Sequence, residues 1–140
     1  MDYEHFREYF NNNDVYSANN GMKILKMEEG YAEAELDYNP GHQNFMGTLH
    51  GGALSTLADI TAGISIISFG KLVVTLNSNI NYVRPAKPGK IKAVATAVHR
   101  SRQIGSSEVR IYDEDDTLVC FCSYIMFITN KDVITNKPMG

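Results

Sequence analysis

Asp59 is the one charged residue in the run 53–68, which is otherwise apolar or small and contains no proline. The run is long enough for a helix, and a helix apolar on all sides is a buried one. A carboxylate there is costly unless it is paired, protonated or in use. In use, it is a nucleophile or a general base. Just upstream, Gly51 and Gly52 stand where the helix should begin. Bare N–H groups at a helix N-terminus donate hydrogen bonds and carry partial positive charge, which suits them to an oxyanion. One segment therefore offers both a donor site and an out-of-place acid. Two glycines alone more often just turn the backbone into a helix; the acid downstream favours the chemical reading.

The elements that must position these groups follow from periodicity. Residues 2–12 predict a short helix, with Phe6, Tyr9 and Phe10 at helical spacing and the cluster Asn11-Asn12-Asn13-Asp14 ending it. Residues 21–28 and 31–38 predict two strands joined at Glu29-Gly30, the second with Ala32, Ala34 and Leu36 on a dry face and Glu33, Glu35 and Asp37 on a wet one. Asn39-Pro40-Gly41 breaks the strand before the central helix. Beyond the helix, 71–83 is β-rich, with Val74, Leu76, Ile80 and Tyr82 alternating with Thr75, Asn77, Asn79 and Asn81. Further strands are expected over 90–100, 105–113 and 117–129. Strands joined by tight turns around one buried helix indicate an α+β domain with an antiparallel sheet wrapped on that helix.

The 140 residues suffice for one domain, 1–140, with a single core. A net charge of -3 argues against nucleic acid as the main partner. No apolar run reaches the ~20 residues of a membrane span, and the acidic start does not read as a signal peptide. Cys120 and Cys122, two apart in a strand-like run, read as reduced buried thiols rather than a disulfide or metal site. The expectation is a cytoplasmic protein.

The pattern Asn44-x-x-Gly47-x-Leu49-His50-Gly51-Gly52-x6-Asp59, with the later Asn79-Ile80-Asn81-Tyr82-Val83-Arg84-Pro85-Ala86-Lys87-Pro88-Gly89, resembles the hotdog-fold acyl-CoA thioesterases. The branch it looks most like is the phenylacetate-pathway and thioesterase-superfamily-member-2 type. The resemblance spans about 20–129. It implies a curved antiparallel sheet around one long helix, an acyl-CoA substrate, and a homodimer or dimer of dimers. It implies no metal and no cofactor beyond the coenzyme A of the substrate.

The resemblance also implies roles. The Gly51 N–H makes the oxyanion contact, and Asp59 is the catalytic carboxylate. Asn44 helps to hold the thioester or water, and His50 orients the loop or touches substrate. Thr75 stands where the family has a serine that positions water. Lys87, Lys90, Arg100 and Arg102 flank turns and are candidates for the coenzyme A phosphates. Helix geometry adds a constraint. Asp59 lies eight residues beyond Gly51, about 12 Å along the axis and roughly 80° around it. Two groups that must each come within ~3–3.5 Å of one carbonyl cannot both be drawn from one chain at that spacing. The active site is expected to join Gly51 of one subunit to Asp59 of another.

Two rivals remain. Asp37-Tyr38-Asn39-Pro40-Gly41-His42 matches the Asp-x-Asn-Pro-x-His core of hotdog enoyl-CoA hydratases, but Leu36 replaces the usual preceding glycine and Gly41 an aliphatic residue. A non-catalytic acyl-CoA-binding module is the other, and it has no use for Asp59.

Overall fold

Asp2 starts the first helix by accepting the His5 N–H at 3.0 Å, and α1 then runs Tyr3–Asn13. In the computed structural model, which describes residues 1–133, Asp14 both ends α1 and caps a second helix, α2 (Val15–Asn19). The sequence reading contained only the first of these. Phe6 is buried and Phe10 packs beside it, so α1 closes one end of the sheet as expected. Residues 134–140 of the single-domain reading lie outside the described residues.

The strands are β1 (Met22–Glu28), β2 (Tyr31–Asp37), β3 (Lys71–Tyr82), β4 (Lys90–Arg100), β5 (Ile104–Tyr112) and β6 (Leu118–Asp132), with α3 (Gly51–Ile67) between β2 and β3. They form one sheet in the order β1-β2-β4-β5-β6-β3, antiparallel throughout. The β1–β2 hairpin turns at Gly30, whose φ of 71° is open to glycine. β3 crosses to the far edge and, among the described residues, pairs only with β6, which leaves its outer side unpaired there.

Alternation decides which face holds the helix. Ala32, Ala34 and Leu36 of β2 are fully buried, while Glu33 and Glu35 on the other face meet Lys92, Lys23 and Lys90. Ala32 pairs with Ala95 and Ala34 with Ala93, which makes a patch of small side chains in the middle of the sheet. Ala58 and Ala62 of α3 are also fully buried. Small residues on both surfaces let helix and sheet approach closely, and Leu57, Ile64, Ile66, Ile91, Val109 and Ile111 fill the remaining core.

Two expectations need correction. α3 is not buried on all sides: Thr56, Asp59 with Ile60, Gly63 and Ile67, at successive helical turns, form a stripe that stays partly open. The sheet covers one side of the helix, and apolarity all round does not reveal which side is left. In β3 the strict alternation fails. A register shift between Thr75 and Asn77 inserts an extra residue, so Thr75, Ser78, Ile80 and Tyr82 face the groove beside α3. Val74 and Leu76, expected to share a face with Ile80 and Tyr82, do not line that groove with them and are exposed.

Candidate functional site

The loop before α3 is built by its own polar side chains. Asn39 accepts the Gly41 N–H and opens a short 3-10 turn, Pro40–His42. Asn44 Oδ1 accepts from Met46 N at 3.0 Å and Thr48 N at 3.1 Å, and Asn44 Nδ2 donates to Thr48 Oγ1 at 2.9 Å. Its carbonyl oxygen is thus committed to folding the loop, and only its amide retains donor capacity. The His50 N–H donates to the His42 carbonyl at 2.9 Å and so aligns the start of α3.

His50 is the N-cap. Its Nδ1 accepts the Gly52 N–H at 2.9 Å, and its carbonyl accepts the Ala53 N–H at 3.0 Å. With Nδ1 accepting, a neutral ring carries its proton on Nε2. Histidine here does the work more often given to serine or aspartate. Between these capped groups, the Gly51 N–H donates to nothing among the described residues. It lies at the positive end of the helix dipole. A Cβ on Gly51 would meet Tyr82 Cε1 at 3.3 Å, so glycine keeps this approach narrow but open. Gly51 lines a cavity of about 340 Å³ with Thr48, Leu49, Tyr82 and Arg84.

Asp59 lies on the open stripe of α3, two turns further on. Thr75 Oγ1 donates to its Oδ1 at 2.6 Å, the one hydrogen bond made to this carboxylate among the described residues. The sequence reading placed Thr75 against water; the structure places its hydroxyl on the acid. Asp59 borders a cavity of about 650 Å³ with Ser55, Thr56, Thr75, Ser78, Tyr82 and Tyr124. Tyr124, which the sequence reading did not single out, is buried, and its hydroxyl donates to the Ser55 carbonyl at 3.1 Å. Burial, and then nearby groups including Asp59, push its phenol well above its ordinary range. Its only sequence signal was a place on the dry face of β6.

Gly51 and Asp59 of one chain fall in different cavities. The structure therefore brings Asp59 and Thr75 together, groups His50 and Asn44 around the loop that leads to Gly51, and keeps donor and acid of one chain in separate cavities.

The four basic candidates separate into two pairs. Lys87 bonds to Asp115 at 2.9 Å, and Lys90 lies 3.5 Å from both Glu35 and Asp37. Arg100 and Arg102 are at the other end of β4, ten residues or about 33 Å away. There they line a cavity of about 450 Å³ with Phe69 and Lys71, and Arg100 stacks 4.4 Å over the Phe69 ring. Neither arginine has an acidic partner among the described residues. One coenzyme A cannot reach both pairs of a single chain.

The hydratase pair is not assembled. His42 is buried with both ring nitrogens engaged: Nδ1 accepts the Asn39 N–H at 3.1 Å, so Nε2 is the donor to the Asn20 carbonyl at 2.7 Å. Asp37 is exposed and paired with Lys90. Cys120 and Cys122 are buried free thiols with Sγ atoms 3.5 Å apart, on one face of β6 as expected. Among the described residues no helix is long and apolar enough to cross a membrane.

A profile of the thioesterase superfamily matches residues 46–120, a span that holds Gly51, Asp59 and Thr75. The proofreading thioesterase EntH of Klebsiella pneumoniae subsp. pneumoniae is 32% identical over 108 residues, covering 75% of this chain and 79% of its own. A hypothetical thioesterase protein of Streptococcus pneumoniae TIGR4, solved with coenzyme A, is similar at a TM-score of 0.80 and 28% identity, covering 88% of this chain and 99% of that one. The PaaI protein from the phenylacetic acid degradation operon of E. coli has a TM-score of 0.86 at 23% identity, covering 91% and 93%, which is a likeness of fold.

Proposed function

Since this chain belongs to the thioesterase superfamily, we propose that it hydrolyses acyl-CoA thioesters with the Gly51 N–H of one subunit and the Asp59 carboxylate of its partner. It is a hotdog-fold thioester hydrolase. The proposal concerns the groups that carry the reaction and the assembly that unites them. The observation that carries it is the Gly51 N–H, left without an acceptor between two capped neighbours, with an acid on the open stripe of the same helix.

The thioester carbonyl oxygen accepts the Gly51 N–H, and the helix N-terminus favours the negative charge that grows there. Asp59 attacks the carbonyl carbon, displacing coenzyme A as the thiolate and forming an acyl anhydride that water then cleaves to the free acid, or it takes a proton from an attacking water; in either case a proton from that water ends on the coenzyme A thiol. Thr75 holds Asp59 in place through Oδ1. His50 and Asn44 act on the loop that aims Gly51. This chemistry asks for no metal and no redox cofactor.

The dimer is supported by the separation of donor and acid and by two unfilled surfaces. One is the open stripe of α3, and the other is the unpaired edge of β3 with Val74 and Leu76 exposed. Uncovered apolar edge strands are places where further chains add. A dimer of dimers extends the same reading. For the coenzyme A phosphates, Arg100 and Arg102 are favoured over Lys87 and Lys90, because they line a cavity and lack acidic partners. Coenzyme A in the Streptococcus relative supports this class of substrate. Buried reduced thiols support a cytoplasmic setting.

The test is thiol release from a panel of acyl-CoAs by the wild type and by Asp59→Asn. Turnover by the wild type and a fall of at least a thousand-fold in the variant are expected, by analogy with loss of other catalytic groups. Wild-type turnover in Asp59→Asn contradicts the assignment. A single turnover in labelled water places label in the Asp59 carboxylate only if the acid attacks directly and water then opens the anhydride at the Asp59 carbon.

A further inference from the structure

Asp59 borders not one cavity but two. Adjoining the polar cavity lies a smaller one of about 200 Å³, whose apolar lining includes Phe10, Ile60, Gly63, Ile64, Ile67 and Val73. Asp59 and Thr75 border both. The reacting carbonyl must lie at Asp59, so the acyl group and the coenzyme arm leave it in different directions. The larger cavity is edged by Ser55, Thr56, Ser78 and three tyrosines and suits the amide-bearing coenzyme arm. The smaller one has Asp14, Asp59 and Thr75 in its lining, but its other walls, Met126 included, are hydrocarbon and suit an apolar acyl group.

Gly63 is the unusual member. It sits inside α3, where glycine is among the poorest helix formers. Its φ is not positive, and a Cβ there would meet nothing within 4 Å. Gly105 is the contrast, since a Cβ on it would come 2.8 Å from Ile66 Cγ2. Neither packing nor backbone conformation in this chain calls for glycine at 63. What its missing side chain leaves is room in the small cavity. Phe10 of α1 lines the same cavity, so the N-terminal helix contributes a wall to it.

We propose that Gly63 and Phe10 gauge the acyl group, Gly63 by making room beside Asp59 and Phe10 by limiting that room. The inference rests on the thioesterase reading above. At about 200 Å³ the cavity is smaller than the roughly 300–1,000 Å³ of ordinary ligand pockets. The acyl class it fits is a compact apolar one beyond the carbonyl, a hexanoyl- to octanoyl-length chain or a single aryl ring, and not a long fatty chain.

The experiment measures kcat/KM for acetyl-, hexanoyl-, decanoyl- and palmitoyl-CoA with the wild type, Gly63→Leu and Phe10→Ala, with the oligomeric state of each followed by light scattering. The wild type should prefer hexanoyl-CoA. Gly63→Leu should lower the hexanoyl-to-acetyl ratio at least ten-fold, the scale on which apolar pockets read methylenes. Phe10→Ala should shift the optimum toward decanoyl-CoA. Unchanged ratios in both variants overturn the inference while leaving the thioesterase reading intact. So does a Gly63→Leu that loses only its assembly, since the glycine then serves a subunit contact. If Gly63→Leu does not fold, Phe10→Ala alone decides by whether its optimum moves. A wild type that releases thiol from no acyl-CoA overturns the thioesterase reading and this inference with it.

Discussion

The Thr75 hydroxyl on edge strand β3 donates to Asp59 Oδ1 on the central helix at 2.6 Å. A hydrogen bond to a carboxylate oxygen fixes the direction of the acid as well as its position. Thr75→Val keeps the shape and removes the donor. The expected result is a kcat lowered roughly ten- to hundred-fold, from the ~1.5–3 kcal/mol of such a bond, with KM little changed. Thr75→Ser should restore most of the loss. Steady-state kinetics of the two variants checks this, and a Val variant with wild-type kcat contradicts it.

Why Thr75 reaches Asp59 was only half legible in the sequence. Its hydroxyl and its place in a strand were plain, but alternation put Val74 and Leu76 on the face of Ile80 and Tyr82. The bulge between Thr75 and Asn77 changes the phase and brings Thr75 onto the same groove as Ser78, Ile80 and Tyr82. A bulge depends on pairing with β6, so a single strand's pattern does not carry it. By contrast, Ala32, Ala34 and Leu36 announced their buried face by period alone, and Gly30 its turn. The open stripe of α3 was hidden for a related reason. Ile60, Gly63 and Ile67 are as apolar or small as their buried neighbours, and only the sheet's position separates them. The free N–H of Gly51 was legible as a helix start, but its freedom depends on His50 capping Gly52 instead.

Asp113 predicts an acid-labile turn. Its carboxyl is buried, which raises its pKa, but the N–H groups of Thr117, Lys87 and Asp115 outweigh burial and hold it below the ordinary carboxylate value. A pKa lower in the folded state than in the unfolded chain means stability that is present at neutral pH and lost as pH falls through the folded value. Asp113→Asn should therefore lower Tm at pH 7. The gap to wild type should narrow below about pH 4, the ordinary Asp range. Thermal melts from pH 7 to 3 check this, and a gap constant across that range contradicts it.

His42 is predicted to be structural. Replacing it with Ala strands the Asn39 N–H and the Asn20 carbonyl, at a cost of about 1–3 kcal/mol. Denaturant melts should show that loss. Hydration of crotonyl-CoA should stay at background in wild type and variant alike, because neither ring nitrogen is free to act on water. Measurable hydration by the wild type that vanishes in His42→Ala would restore the hydratase reading.

The central claim is that donor and acid come from different subunits. Gly51 is the first residue of α3, where proline is well tolerated, and His50 before it already has the extended backbone that proline demands (ψ 135°). Gly51→Pro thus deletes the proposed N–H with the helix retained, its ring also crowding Tyr82 at the same site, and Asp59→Asn deletes the acid. Each homodimer should be inactive. In a two-fold dimer the mixed species joins the intact Gly51 of one subunit to the intact Asp59 of the other, at one of its two sites. The most direct measurement is thiol release by the two variants co-expressed with random pairing. Activity of about a quarter of wild type is expected, since half the dimers are mixed and each has one whole site. Co-expressed protein that assembles into mixed dimers yet stays as inactive as the separate variants would contradict the shared site.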